Sequence, residues 1–83
     1  MRFSAMVEVS LRPGIADPQG ATIERALPAL GFESISGVRT GKAFRFTVDA
    51  SDEDGARRQV EDLCRRLLAN PVIEDTAVTL EPA

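Results

Sequence analysis

Two cations flank a glycine in Arg39-Thr40-Gly41-Lys42, at the middle of an 83-residue chain. Paired cations at a turn can grip a carboxylate or phosphate of a partner, or simply remain solvated. Little else in the sequence is equipped for chemistry. Histidine is absent and there is one cysteine, so ordinary zinc sites and histidine-based general bases or triads are excluded within a single chain. Cys64 falls on an apolar helical stripe between Val60 and Leu67, where a thiol acts as a small hydrophobe. The run Asp49, Asp52, Glu53, Asp54, Gly55 fails the calcium-loop template because its glycine and distant glutamate are misplaced, and it reads as helix capping. Phe44 and Phe46 beside Lys42 and Arg45 faintly resemble an RNA-stacking strand, yet the glycine and aromatic spacing is missing. Arg57, Arg58, Glu61, Asp62, Arg65 and Arg66 pair opposite charges four apart on a solvated helix face. No nucleophile–base pair emerges.

Composition narrows the partners. Net charge is −3 with a pI near 4.8, which argues against nucleic acid, whose phosphates select clustered Lys and Arg. No apolar run approaches the roughly 20 residues of a membrane span, and Met1-Arg2-Phe3-Ser4-Ala5 leads into a strand without a signal-peptide core. A cytoplasmic protein with no internal disulfide is the expectation. The apolar share is 43%, ordinary for a folded domain. Residues 1–83 make one small domain, which buries only about 60–65% of its unfolded surface and so benefits from a partner.

The elements follow from periodicity. Phe3, Ala5, Val7, Val9 and Leu11 alternate with polar positions, a half-buried strand that Arg12-Pro13-Gly14 ends. Asp17 caps a helix whose first position suits Pro18. Ile23, Ala26, Leu27 and Leu30 form its apolar stripe, and Gly31 is a natural left-handed terminus. Pro28 interrupts this pattern, costs about 3 kcal/mol in a helix interior, and predicts a bend. Residues 34–48 read as two antiparallel strands hinged at Thr40-Gly41-Lys42, with positive φ at Gly41 and a bulge at Ser36-Gly37. The alternative is one long strand pairing with a second copy. Phe44, Phe46 and Val48 face the core. A second helix spans about 52–69, capped by Ser51 with Asp54 and striped by Ala56, Val60, Leu63, Cys64 and Leu67. Asn70-Pro71 ends it, and a last strand runs from Val72 to about Glu81, with Val78 and Leu80 as its core residues.

The order β-α-β-β-α-β predicts an α+β, ferredoxin-like fold. Its four-stranded antiparallel sheet carries two helices on one face. The other face, with Ser4, Met6, Glu8, Ser10, Arg45 and Thr47, stays open for self-association, as do the strand edges.

Four stretches, in order and with their spacing, resemble the PurS family, the small subunit of phosphoribosylformylglycinamidine (FGAM) synthase. They are Val7-Glu8-Val9-Ser10-Leu11-Arg12-Pro13-Gly14, Asp17-Pro18-Gln19-Gly20, Val38-Arg39-Thr40-Gly41-Lys42 and Leu67-Leu68-Ala69-Asn70-Pro71-Val72-Ile73-Glu74. The likeness covers essentially the whole chain. It implies a non-catalytic subunit that self-associates as a dimer or higher oligomer. That subunit bridges a glutaminase subunit and a large synthetase subunit, and supports ammonia transfer for ATP-dependent conversion of formylglycinamide ribonucleotide to the amidine. The resemblance puts ATP and Mg in the complex and no cofactor on this chain. It implies partner contacts at Arg39, Gly41 and Lys42 and at the loop Asp17, Pro18, Gln19 and Gly20, with Asn70 and Pro71 fixing the entry of the last strand. Ala21, where the family commonly has lysine, and Pro28 depart from the pattern. Two other readings are a small dimeric module binding an amino acid or nucleotide, and an acylphosphatase-like enzyme. The second lacks a phosphate cradle at Arg12-Pro13-Gly14 and has its one Asn, Asn70, at the wrong end of the chain.

Overall fold

The computed structural model describes residues 1–83. Strand β1 (Arg2–Leu11) lies at the centre of an antiparallel sheet in the order β2-β1-β3, flanked by β2 (Gly41–Asp49) and β3 (Glu74–Pro82). Its odd-numbered residues face one way, and the register sets Phe3 beside Val48, Ala5 beside Phe46 and Leu80, and Val7 beside Phe44 and Val78. Helix α2 (Glu53–Leu63) covers that face. The core is eight apolar side chains, Phe3, Ala5, Val7, Val9, Val48, Ala56, Val60 and Cys64, with Phe44, Phe46, Val78 and Leu80 packed at its margin. Period-2 alternation on β1 and the aromatic face of β2 thus place the core as their sequence predicts.

The expected fourth strand does not form. Residues 35–40 make no ladder and contain no turn or bend before β2 begins at Gly41, so the sheet has three strands. The amides that a hairpin would pair are spent elsewhere: Val38 N–H donates to Glu24 Oε1 at 2.8 Å, and Thr40 N–H to Asp17 Oδ2 at 2.6 Å. Nor does Gly41 take a positive φ. It is glycine because a Cβ there would come 2.7 Å from the carbonyl oxygen of Val9, across the β1–β2 ladder. The bulge expected at Ser36-Gly37 is likewise absent, as that segment is no strand.

The two helices also do not share the sheet face. Helix α1 (Pro18–Ala26) continues into a 3₁₀ turn, Pro28–Leu30, which is its main packing partner; only α2 packs substantially on the strands. Pro28 starts the 3₁₀ turn, so the predicted bend is there, and Gly31 ends it at φ 91°. Asp52, not Ser51, caps α2, accepting the Gly55 amide at 2.7 Å. Past Leu63 the chain widens into a π turn, Cys64–Leu68, closed by the Ala69 amide on the Cys64 carbonyl at 3.0 Å. One extra residue per turn rotates the stripe, so Leu67 is 75% exposed and Leu68 packs on the core instead.

The result is a long, open molecule of 52 × 27 × 14 Å with a radius of gyration of 16.4 Å. A close-packed domain of this length would have about 12 Å. The excess arises because α1 stands beyond one end of the sheet.

Candidate functional site

At that end of the sheet, polar groups tie three separate segments together. The cap of α1 begins it. Asp17 precedes Pro18, and its carboxylate accepts the Gly20 amide at 2.9 Å, as an N-cap does. The same carboxylate accepts the Thr40 amide at 2.6 Å and the Thr40 hydroxyl at 2.9 and 3.1 Å. Asp17 is only 8% exposed. The Thr40 amide and then the Gly20 amide pull its pKa below the ordinary 3.8. Burial opposes them, and the Thr40 hydroxyl and the Arg39 charge assist. Gly20 is required by this closeness, since a Cβ would stand 2.5 Å from the Val38 carbonyl oxygen and 2.9 Å from Asp17 Oδ2.

Arg39 is a strut. Its Nη2 donates to the carbonyls of Ile15 at 2.9 Å and Arg12 at 3.4 Å, fastening residues 38–40 to the β1–α1 loop. Arg12 in turn donates to the Pro71 carbonyl and pairs with Asp75 at 3.3 Å. Asn70 organises the third segment: its side-chain oxygen accepts the Val72 amide at 3.0 Å and its carbonyl accepts from Ile73 and Glu74. Asp17, Pro18, Gln19, Gly20, Arg39, Gly41, Lys42, Asn70 and Pro71, far apart in sequence, therefore gather at one end of the molecule. Of the two cations, Lys42 is the uncommitted one. It is exposed on β2 with its ammonium 5.9 Å from the centre of the Phe44 ring.

Arg12, Glu24 and Thr40 belong to this cluster and were not marked by their sequence pattern. Arg12 reads as the end of a strand, and nothing in the sequence pattern singles out Glu24. The one available signal was Thr40, a hydroxyl lying between two marked cations.

The chemistry open to the cluster is binding and positioning. A carboxylate engaged by three donor groups and held below its usual pKa is a poor proton acceptor near neutral pH. Burial pushes the Cys64 thiol pKa upward, which keeps it protonated and weakly nucleophilic. No three His, Cys, Asp or Glu side chains cluster as metal ligands would.

These features define an open-faced α+β domain: a three-stranded antiparallel sheet with one packed helix, a projecting helix, and an end where hydrogen bonds latch separate chain segments together. The chain belongs to the PurS family, the small subunit of FGAM synthase in purine biosynthesis; the family described as phosphoribosylformylglycinamidine (FGAM) synthase matches residues 4–82. The PurS subunit of Methanocaldococcus jannaschii is 38% identical over 79 residues, covering 95% of each chain. That of Mycobacterium leprae is 44% identical over 77 residues, covering 93% of this chain and 94% of the relative. Among solved structures, a chain of PurLQS from Thermotoga maritima superposes with a TM-score of 0.90 at 32% identity, covering 98% of this chain and 99% of that one. The M. jannaschii PurS crystal structure gives 0.87 at 37% identity, covering 98% of both.

Proposed function

We propose that this chain contributes no catalytic group to FGAM synthase and acts as its bridge. It self-associates and joins the glutaminase and synthetase subunits so that ammonia released from glutamine reaches the ATP-using site without escaping. The physical need is plain. Ammonia protonates near neutral pH and the ammonium ion is no nucleophile, so an enclosed route preserves reactivity, and walls alone can supply it. What carries the reading is the near-complete correspondence with a chain of a solved PurLQS assembly, at 32% identity. The lack of histidine in the sequence and the engaged state of Asp17 agree with it. ATP and Mg are used by the complex, and this chain binds neither. The setting is cytoplasmic, in keeping with the absence of any helix long and apolar enough to cross a membrane.

Lys42 is the cation we assign to a partner's acidic group, with Arg39 holding the segment that presents it. Replacing both, Arg39→Ala with Lys42→Ala, abolishes co-purification with the glutaminase and synthetase subunits. Intact assembly in that variant would refute the assignment.

A further inference from the structure

Arg12 stands where the central strand stops. β1 ends at Leu11, and one step further the Arg12 amide donates to the Ile73 carbonyl at 2.9 Å. Its guanidinium reaches the same stretch of chain, from Nη2 to the Pro71 carbonyl and from Nε to Asp75 at 3.3 Å. Its carbonyl serves the other side, accepting the Ile15 amide at 3.1 Å and Arg39 Nη2 at 3.4 Å. Outside the strand ladders, Arg12 is the one residue hydrogen-bonded both to residues 38–40 and to the turn 70–73.

Those two segments open the outer strands. Residues 38–40 run into β2 at Gly41-Lys42, and residues 70–73 run into β3 at Glu74. β2 and β3 lie on opposite sides of β1, so their starts stand roughly 10 Å apart, two strand spacings of about 4.8 Å. Past Leu11 no β1 ladder remains to hold that separation. Arginine suits the gap, because its planar fork donates in two directions at a fixed angle. The side chain is 48% exposed, so its ion pair adds little stability. What it contributes is geometry. It ties its own backbone to the turn, and that backbone holds Arg39, which fastens the segment presenting Lys42.

We propose that Arg12 is a positioning residue of the bridge: by fastening the β1–α1 corner to the 70–73 turn it sets, through Arg39, where Lys42 stands when a partner subunit's acidic group meets it. This role rests on the bridging reading above and on Lys42 as the contact. Arg12 makes none of that contact itself. Its Nε and Nη2 are engaged by acceptors of its own chain, whereas Lys42 has no ion-pair partner within the chain.

The test titrates the full chain into the glutaminase and synthetase subunits and reads the concentration that gives half-maximal glutamine-driven turnover. Lys42→Ala raises it about 10-fold, as the loss of one well-placed contact does. Arg12→Met keeps the length of the side chain and loses every donor. It also raises the value about 10-fold, with circular dichroism unchanged. A misplaced cation has little left to lose. The double variant therefore also stands at about 10-fold, where independent losses would multiply to about 100-fold. Asp75→Asn, which removes only the charged acceptor of Arg12, gives the same non-multiplying pattern with Lys42→Ala. Arg12→Lys keeps a cation within reach of the Pro71 carbonyl and Asp75, and returns the value to within about 2-fold of wild type. Losses that multiply, an Arg12→Met chain that works as wild type does, or an Arg12→Lys chain as weak as Arg12→Met would each overturn the positioning role alone. Glutamine-driven turnover that needs no such chain would instead overturn the bridging reading, and this role with it.

Discussion

Replacing Gly20 with alanine separates the latch from ordinary helix energetics, because the two predict opposite signs. In an exposed helix, Gly→Ala gains about 1 kcal/mol from backbone entropy. At Gly20 the new Cβ would lie 2.5 Å from the Val38 carbonyl oxygen and 2.9 Å from Asp17 Oδ2. The first neighbour is backbone, fixed on both sides by the Glu24–Val38 and Asp17–Thr40 bonds, so it yields little. Overpacking of this kind costs about 1–3 kcal/mol, and an unyielding neighbour places it at the upper end, near 3. The net loss is about 2 kcal/mol, which is about 30-fold in the opening equilibrium of the latch. Native-state amide exchange reads this locally. The Thr40 and Val38 amides should exchange about 30-fold faster, while Val7 and Val60 keep their protection. Unchanged or slower exchange at Thr40 would refute the steric account and return Gly20 to an ordinary helix position.

Other consequences follow from the same contacts. Because the Asp17 pKa is lowered by folding, its contribution is fully present above its ordinary 3.8 and disappears as pH falls through the lower folded value. Thr40 protection should therefore be flat from neutral pH to about 4, fall below it, and be nearly pH-independent in Asp17→Asn. Val60→Ala, at a buried core position, should cost about 2–3 kcal/mol and lower the thermal midpoint by about 10 °C or more. Leu67→Ala, rotated outward by the π turn, should shift stability by less than about 0.5 kcal/mol.

Which parts of the fold are legible in the sequence depends on how local their causes are. The alternation of Phe3, Ala5, Val7 and Val9 and the aromatic face of β2 are fixed by pleat geometry, and both lie where that pattern puts them. Asp17-Pro18 starts α1 by capping and fixed φ alone. The hairpin at Thr40-Gly41-Lys42 failed because glycine has two uses: positive φ, and closeness to a neighbouring backbone. The sequence does not distinguish them, and here Val9 decides. Leu67 was misplaced because a helical wheel assumes 3.6 residues per turn, and the π turn at Cys64–Leu68 does not obey it. Helix α1 has an apolar stripe, but a stripe does not name the surface it packs on, and here Ile23 and Leu30 stay exposed instead of lying on the sheet. At the candidate site the cap residues and cations were visible by type, but the carbonyls that hold Arg39 come from residues 12 and 15, a partnership that only the folded chain reveals.

The bridging role is tested most directly by FGAM synthase activity reconstituted from the glutaminase and synthetase subunits, with and without this chain. It should be driven by glutamine in one series and by ammonium salt in the other. The account predicts that omitting the chain abolishes glutamine-driven turnover and spares ammonia-driven turnover. Equal glutamine-driven rates with and without it would contradict the account.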